Sequence, residues 1–299
     1  MKVIITGASG LLGRAVAQKF KKDGHEVVGT ALSRADKAGL VKLDLTDSQA
    51  VETFIKNQKP DVVVHCAAER RPDVAEKDHE GTLKLNVEVP RSLATLCKAE
   101  NVMLVYISTD YVFDGTNPPY QVNDQPNPLN FYGKSKLGGE EALRQVDPQA
   151  VILRVPVLYG KTEYNGESAI NILLDVIKNH DKQVDMDNVG LRYPTHVEDI
   201  ARVIEDMAVR RVEQKDTHIS GTFHFSGEEM YTKYTMCEFF GKLLNLPIDH
   251  LRQQNEIPSS AAASRPKDAH LSNDRLKQVG IDTYHVPFEQ WWTTYLSSA

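Results

Sequence analysis

Tyr132 and Lys136 stand four residues apart in the run Tyr132-Gly133-Lys134-Ser135-Lys136, a spacing that puts both on one face of a helix. That pair suits proton transfer. A free phenol titrates at about 10, and an ammonium a few ångströms away favours the phenolate, drawing the phenol toward the working range. Lys136 can also hydrogen-bond the ribose of a nicotinamide. Upstream lies Ser108-Thr109-Asp110-Tyr111. Thr109 or Ser108 would hydrogen-bond a substrate carbonyl while Tyr132 donates its proton and a nicotinamide delivers hydride. Both features have plainer readings: Tyr-x-x-x-Lys also suits a solvated helix face, and two hydroxyls can end a strand and cap a turn.

The elements that would position this chemistry start at the head of the chain. Residues Thr6 to Gly13 read Thr-Gly-Ala-Ser-Gly-Leu-Leu-Gly. The β-branched run Val3-Ile4-Ile5 precedes them, and helical apolar spacing (Val16, Ala17, Phe20) follows. Strand, glycine turn and helix in that order form the context of a dinucleotide site. Gly7 permits the tight turn, Gly10 lets the backbone approach a pyrophosphate, and Gly13 lets the helix lie close on the sheet. The phosphate charge would sit on the free amides at the helix start.

The second strand runs into Gly29-Thr30-Ala31-Leu32-Ser33-Arg34, with no acidic residue at its end for a ribose hydroxyl. Arg34 offers a fork suited to a phosphate, which favours NADP over NAD. Against this, Arg34 could be a solvated charge, and Asp36 is close by. Asp44-Leu45 would lie against the adenine.

Strands are predicted at Val3–Thr6, Glu26–Thr30, Val41–Leu43, Val62–His65, Met103–Ser108 and Ala150–Val155, with helices at Leu11–Lys21, Ser48–Gln58, Gly81–Glu100 and Phe131–Gln145. The alternation implies an α/β, Rossmann-type doubly wound parallel sheet whose ligand site lies at the carboxyl ends of the strands. After Pro156 the pattern loosens. Helices are predicted at Ser168–Asn179, Glu198–Arg211, Lys233–Leu244 and Phe288–Leu296, with one strand at Thr222–Ser226. We expect a nucleotide-binding domain over 1–155 and a smaller C-terminal lobe over 156–299, intertwined as one structural unit. A small Ser/Ala stretch occupies Ser259–Ser264. Trp291 and Trp292 are adjacent, so one is expected in the core while the other is a possible contact.

A chain of 299 residues buries roughly three quarters of its unfolded surface, so its core needs neither disulfide nor metal. A net charge of -6 without a long basic run argues against nucleic acid as the main partner. Cys66, Cys97 and Cys237 have no paired spacing, and the ten histidines give no metal triad; His65, His196 and His224 read as packing or hydrogen-bonding residues. Apolar runs are strand-length, so no membrane span is expected. A strand starting at Val3 leaves no room for a cleavable signal. A cytoplasmic protein is the expectation.

With Ile107-Ser108-Thr109-Asp110-Tyr111-Val112-Phe113-Asp114-Gly115 and the Tyr132/Lys136 pair, the chain resembles the extended short-chain dehydrogenases/reductases, in particular their dTDP-4-dehydrorhamnose reductase branch. It is more closely similar to the regulatory β subunits of methionine adenosyltransferase, which share this fold. That likeness lies in His65-Cys66-Ala67-Ala68-Glu69-Arg70-Arg71-Pro72-Asp73-Val74, Asp114 to Tyr120, Tyr193 to Val197 and Gly221 to His224. It covers essentially the whole chain. The resemblance implies NADP contacts by Ser9, Gly10, Leu11, Leu12, Leu32, Ser33, Arg34, Asp44, Leu45, Cys66, Ala67, Arg70, Tyr132, Lys136 and Leu158, with Cys66 giving backbone and a small side chain rather than redox chemistry.

The resemblance also implies binding to the catalytic subunit of methionine adenosyltransferase and modulation of S-adenosylmethionine synthesis. The competing implication is NADPH-dependent reduction of a 4-keto nucleotide sugar by Thr109, Tyr132 and Lys136. Two cations and a proline at Arg70-Arg71-Pro72 replace the aromatic and hydroxyl usual in such reductases. Ser33-Arg34 stands where the β subunits carry two arginines, which would weaken NADP preference by about 1.5–3 kcal/mol. Those subunits also run on past the position of Ala299; if that tail contributes to docking, this chain would dock differently or more weakly.

Overall fold

The computed structural model describes residues 1–35, 39–256 and 263–297; Asp36 and residues 259–262 of the Ser/Ala stretch lie outside these. Eleven strands occur among the described residues: β1 Lys2–Thr6, β2 Glu26–Ala31, β3 Val41–Lys42, β4 Val62–His65, β5 Met103–Thr109, β6 Val151–Val155, β7 Leu158–Tyr159, β8 Val184–Asp187, β9 Thr195–His196, β10 Gly221–His224 and β11 Leu251–Gln254. The helices are α1 Leu11–Lys22, α2 Ser48–Gln58, α3 Pro72–Ala75, α4 His79–Leu83, α5 Val89–Ala99, α6 Phe131–Val146, α7 Leu173–Lys178, α8 Val197–Ala208, α9 Lys233–Leu244, α10 Asp274–Gln278 and α11 Phe288–Ser297.

Seven strands form one parallel sheet in the order β10-β6-β5-β4-β1-β2-β3. Strand order reverses between β1 and β4, whose register pairs Thr6 with His65 at their carboxyl ends. A crevice opens at that point in a doubly wound sheet. Alternation along the strands sorts two cores. Val3, Ile5, Val62, Val64, Val105 and Leu153 face α1 and α8, while Ile4, Val63, Leu104, Tyr106 and Ile152 face α2 and α5. The fold class is the expected one.

The C-terminal half returns to this sheet, with β10 pairing alongside β6 and α8 packing on α1. A separate aromatic core gathers Tyr159, Phe240, Phe288 and Trp292. Trp292 is fully buried, and Trp291 is half-buried with its ring stacked on Tyr295 at 4.7 Å. Trp291 therefore packs on its own helix rather than standing free.

Four expectations change. The predicted helix over Gly81–Glu100 is α4 and α5 joined by a π-helical segment at Lys84–Glu88. The predicted helix over Ser168–Asn179 shrinks to α7, after a 3₁₀ turn at Asn165–Glu167. The predicted helix over Glu198–Arg211 is α8 followed by a π-helical segment at Val209–Glu213. Four short strands had no expectation, β8 with β11 and β7 with β9.

Candidate active and cofactor site

The turn between β1 and α1 is set by its glycines. Gly7 has φ +66°, and a Cβ there would lie 2.8 Å from the Ala67 amide nitrogen. A Cβ on Gly13 would fall on the Gly7 carbonyl oxygen and 2.8 Å from Ala8 Cα. Gly10 has only that carbonyl nearby, at 3.3 Å from a built Cβ. It takes the N-cap position of α1 without a side-chain cap, and no acid sits in the first turn. The Leu11 and Leu12 amides have no acceptor among the described residues. Open amides at a helix start, beside a glycine with free space, fit a pyrophosphate.

The Tyr132 end is built by α6, whose N-cap Asn130 accepts from the Gly133 amide at 2.8 Å. Tyr132 and Lys136 share the helix face turned to the end of β5. The Thr109 hydroxyl is a hydrogen-bond partner of the Tyr132 phenol, donates to Asp110 at 3.0 Å and accepts from the Tyr111 amide at 3.2 Å. Thr109 is thus both a turn cap and a partner of Tyr132. Ser108, the alternative hydroxyl, faces the other side of the strand and donates to fully buried Glu140 at 2.6 Å. It belongs to the scaffold. Glu140 also accepts from Arg154 Nε at 2.9 Å and Nη2 at 2.7 Å, and from Arg144 Nη2 at 2.7 Å.

The expected electrostatics of the pair differ from those found. Burial pushes the Tyr132 phenol well above its ordinary value, with the Thr109 hydrogen bond and the Arg70 charge opposing. Lys136 is not among the main influences on this phenol; its Nζ lies 4.0 Å over the Tyr106 ring. Burial pulls Lys136 down to about 7, against the pull of Glu140. Desolvation outweighs the neighbouring charge.

Of the two arginines after β4, Arg71 is tied to Glu69 by Nη2 at 2.7 Å and Nε at 2.9 Å. The exposed Arg70 side chain has no ion pair or hydrogen bond among the described residues and is close enough for its charge to act on Tyr132. Cys66 is half-buried, its thiol pushed up to about 12 by burial. Ala67 closes on Gly7. Leu158, half-buried in β7, packs on the α1 side of the sheet.

Toward the other end of the crevice, Leu32 and Ser33 are exposed. Asp44 is also exposed; it accepts the Thr46 amide at 2.9 Å and hydroxyl at 2.8 Å, bonds that hold its carboxyl below the ordinary range. Leu45 packs on the α2 side. Arg34 is not a lone solvated charge: its Nη1 meets Glu167 at 2.9 Å and Glu163 at 3.2 Å.

Two contributors escaped sequence reasoning. Asn86, in the π segment, donates from Nδ2 to the Glu69 carbonyl at 3.0 Å and to Ser135 at 2.9 Å, and its Oδ1 accepts the Glu69 amide at 3.0 Å. It joins the loop after β4 to α6. Pro90 stands four residues on and cannot donate to the Asn86 carbonyl, which accepts the Tyr106 hydroxyl at 3.3 Å. A proline inside a predicted helix was the available signal. The second is Glu167, which pairs with Arg14 as well as Arg34.

His65, His224 and His196 are held neutral by burial, pulled down to about 3, about 3 and about 4. None joins a metal-binding group among the described residues. As pH falls through about 6.5, the unfolded chain takes up these protons while the native one refuses them, so stability drops from that pH toward 4. Asp110 has the opposite sign, since burial raises it to about 6 and it is protonated first in the native state. Burial also raises Asp199, and Lys136 finishes charging in the native state below about 7, so these two side with Asp110. The three histidines still outweigh them and should leave the protein less stable at pH 4.5 than at pH 7. Urea unfolding at the two pH values checks this, and equal midpoints would contradict it.

The RmlD substrate binding domain family model matches residues 1–295. The chain is 46% identical to methionine adenosyltransferase 2 subunit beta of Bos taurus over 280 residues, 94% of this chain and 83% of that one. It is 44% identical to the Danio rerio protein of the same name over 289 residues, covering 96% and 88%. Among solved structures, a dTDP-4-dehydrorhamnose reductase from Clostridium acetobutylicum superposes with TM-score 0.85 at 29% identity, covering 100% of this chain and 99% of that one. The Bacillus anthracis reductase, solved in complex with NADP, gives 0.85 at 24% identity over 100% and 99%, a likeness of fold. No described helix is long and apolar enough to cross a membrane. The chain belongs to the RmlD substrate binding domain family and, within it, to the family of the methionine adenosyltransferase 2 β subunits.

Proposed function

We propose that this protein is an NADP-binding regulatory subunit of methionine adenosyltransferase that modulates S-adenosylmethionine synthesis from the cytoplasm. The observation that carries this reading is the extent of the likeness: 46% identity over 94% of the chain to a protein bearing that subunit's name. The open amide cradle at Gly10–Leu12 supports a dinucleotide, and Arg34 at the end of β2 supports the 2′-phosphorylated form over NAD. Residues 1–155 carry the cofactor, and 156–299 supply the lobe on the far side of the crevice. In that arrangement Ser9 to Gly13 hold the pyrophosphate, Leu32 to Arg34, Asp44 and Leu45 the adenosine end, and Cys66, Ala67, Arg70, Tyr132, Lys136 and Leu158 the nicotinamide end. A nicotinamide supplies hydride chemistry; Lys136 would hold its ribose and Tyr132 a proton. Titrating the protein with NADPH and following the cofactor's fluorescence tests the cofactor part, with saturation at one site per chain expected.

One set of contacts favours reduction of a 4-keto nucleotide sugar as a second reading. The charges of Arg192 and Arg265 act on Tyr111, whose ring stands 5.9 Å from that of Tyr132, and that of Lys233 adds to them, although Arg192 also meets Asp187 at 3.4 Å and Arg265 meets Asp73 at 2.8 Å. Cations beside a Thr109/Tyr132 pair suit an anionic carbonyl substrate. If the protein turns over, Tyr132→Phe should lower NADPH oxidation with dTDP-4-dehydrorhamnose at least ~100-fold while leaving NADPH binding within twofold. Unchanged turnover would remove Tyr132 as the acid.

A further inference from the structure

The contacts of Arg34 reach beyond its own loop. Both of its acidic partners lie in the segment after β7, well over a hundred residues away in sequence. The two acids differ in kind. Glu167 is 5% exposed and fully engaged: Oε1 accepts from Arg14 Nη1 at 3.0 Å and Arg34 Nη1 at 2.9 Å, while Oε2 accepts from Arg14 Nη2 at 2.6 Å and the Glu163 amide at 2.9 Å. Arg14 in turn donates to the Ser9 carbonyl at 2.7 Å, inside the glycine turn. Glu167 therefore locks Arg34 and the phosphate turn into one frame. The Glu163 side chain is 57% exposed and meets Arg34 at 3.2 Å and Arg14 at 3.9 Å. Exposed pairs of this kind are weak and readily exchanged.

Both acids take Nη1 of Arg34. Its Nε and Nη2 carry no hydrogen bond among the described residues, so one edge of the fork remains for a bidentate oxyanion. Charge decides what can use that edge. Two arginines against two carboxylates leave the cluster neutral, and a phosphate group gains little there while Glu163 stays.

Resting on the NADP reading above, we infer that Glu163 is an exchangeable counter-ion of Arg34, displaced by the 2′-phosphate, and that it sets how strongly the protein discriminates between 2′-phosphorylated and unphosphorylated dinucleotides. Glu167 is a positioning residue that fixes the fork. The segment carrying both acids thereby makes the C-terminal half part of cofactor selection. NAD has no phosphate to place on Arg34 and feels the Glu163 charge only through its pyrophosphate, at the more distant Arg14, so it responds much less.

The test is calorimetric titration of the full chain and its Glu163→Gln variant with NADP⁺ and with NAD⁺. The expected result is a 3- to 10-fold tighter NADP⁺ affinity in the variant, with NAD⁺ within twofold of wild type. In an Arg34→Ala background the Glu163→Gln effect should vanish. Equal changes for both cofactors, no change, or a weaker NADP⁺ affinity would overturn the inference while leaving the cofactor reading intact. A wild-type protein that binds neither dinucleotide would overturn both.

Discussion

Replacing Arg154 by methionine is expected to cost the protein about 3–5 kcal/mol. Arg154 is 1% exposed and Glu140 is fully buried. Two of the four hydrogen bonds on Glu140 come from Arg154, which also sits 3.2 Å from His224 Nε2. Without them the carboxylate keeps only Ser108 and Arg144, the latter partly exposed. An ionised group left short of partners in the interior bears most of its desolvation cost. The thermal midpoint should fall by about 6–10 °C. Removing both partners, as Arg154→Met with Glu140→Gln, should recover much of the loss, because the expense lies in the stranded charge. A single variant within 1 °C of wild type would refute the account of this network. The consequence reaches the site, since Glu140 shares α6 with Tyr132 and Lys136, and Ser108 precedes Thr109.

Gly13→Val is expected to abolish useful cofactor binding, with at least a ~100-fold loss equivalent to about 2.7 kcal/mol. A Cβ at this position collides with the Gly7 carbonyl and lies 2.8 Å from Ala8 Cα and 2.9 Å from Gly7 C, all backbone that cannot swing aside. The helix start must lift off the β1 turn, which misplaces the amides of Leu11 and Leu12. Gly24, just past the other end of α1, provides a control. It has φ +84° but nothing within 4 Å of a built Cβ. Gly24→Ala should cost about 1 kcal/mol in backbone strain and leave NADPH affinity unchanged. Similar affinity losses in both variants would show that general destabilisation, not the shape of the turn, explains the Gly13 result.

These features differ in how far the sequence displayed them. The sheet was legible because its strands are buried on both faces and therefore read as β-branched runs such as Val62-Val63-Val64. The glycine turn was legible because the steric demand at Gly7 and Gly13 admits no other residue. By contrast, β8 (Val-Asp-Met-Asp) and β11 (Leu-Arg-Gln-Gln) form a two-stranded ladder with polar outer positions, and β7 and β9 are two residues each. Such elements are stabilised by the lobe around them; the alternation in β8 spans only four residues, β11 has none, and neither length suffices to identify a strand. The strand alternation that sends Ser108 and Thr109 to opposite sides was present in principle, yet which side held the crevice depended on the helices. Arg34 was singled out as a phosphate fork, but its acids arrive from the far half of the chain, and no local pattern announces a contact of that range. The lowered phenol expected from the Tyr132/Lys136 spacing failed for a related reason. Spacing reports proximity along a helix, whereas burial of the phenol and the turn of Lys136 toward Tyr106 are set by β5 beneath.

Gel filtration of the purified chain with the methionine adenosyltransferase catalytic subunit of its own organism, at micromolar concentration with NADPH present, tests the central claim most directly. Co-elution in one defined larger complex, retained by Tyr132→Phe, is the expected result. Separate elution of the two proteins under those conditions would contradict the regulatory reading and leave reduction of an anionic carbonyl substrate at Thr109 and Tyr132 as the function to pursue.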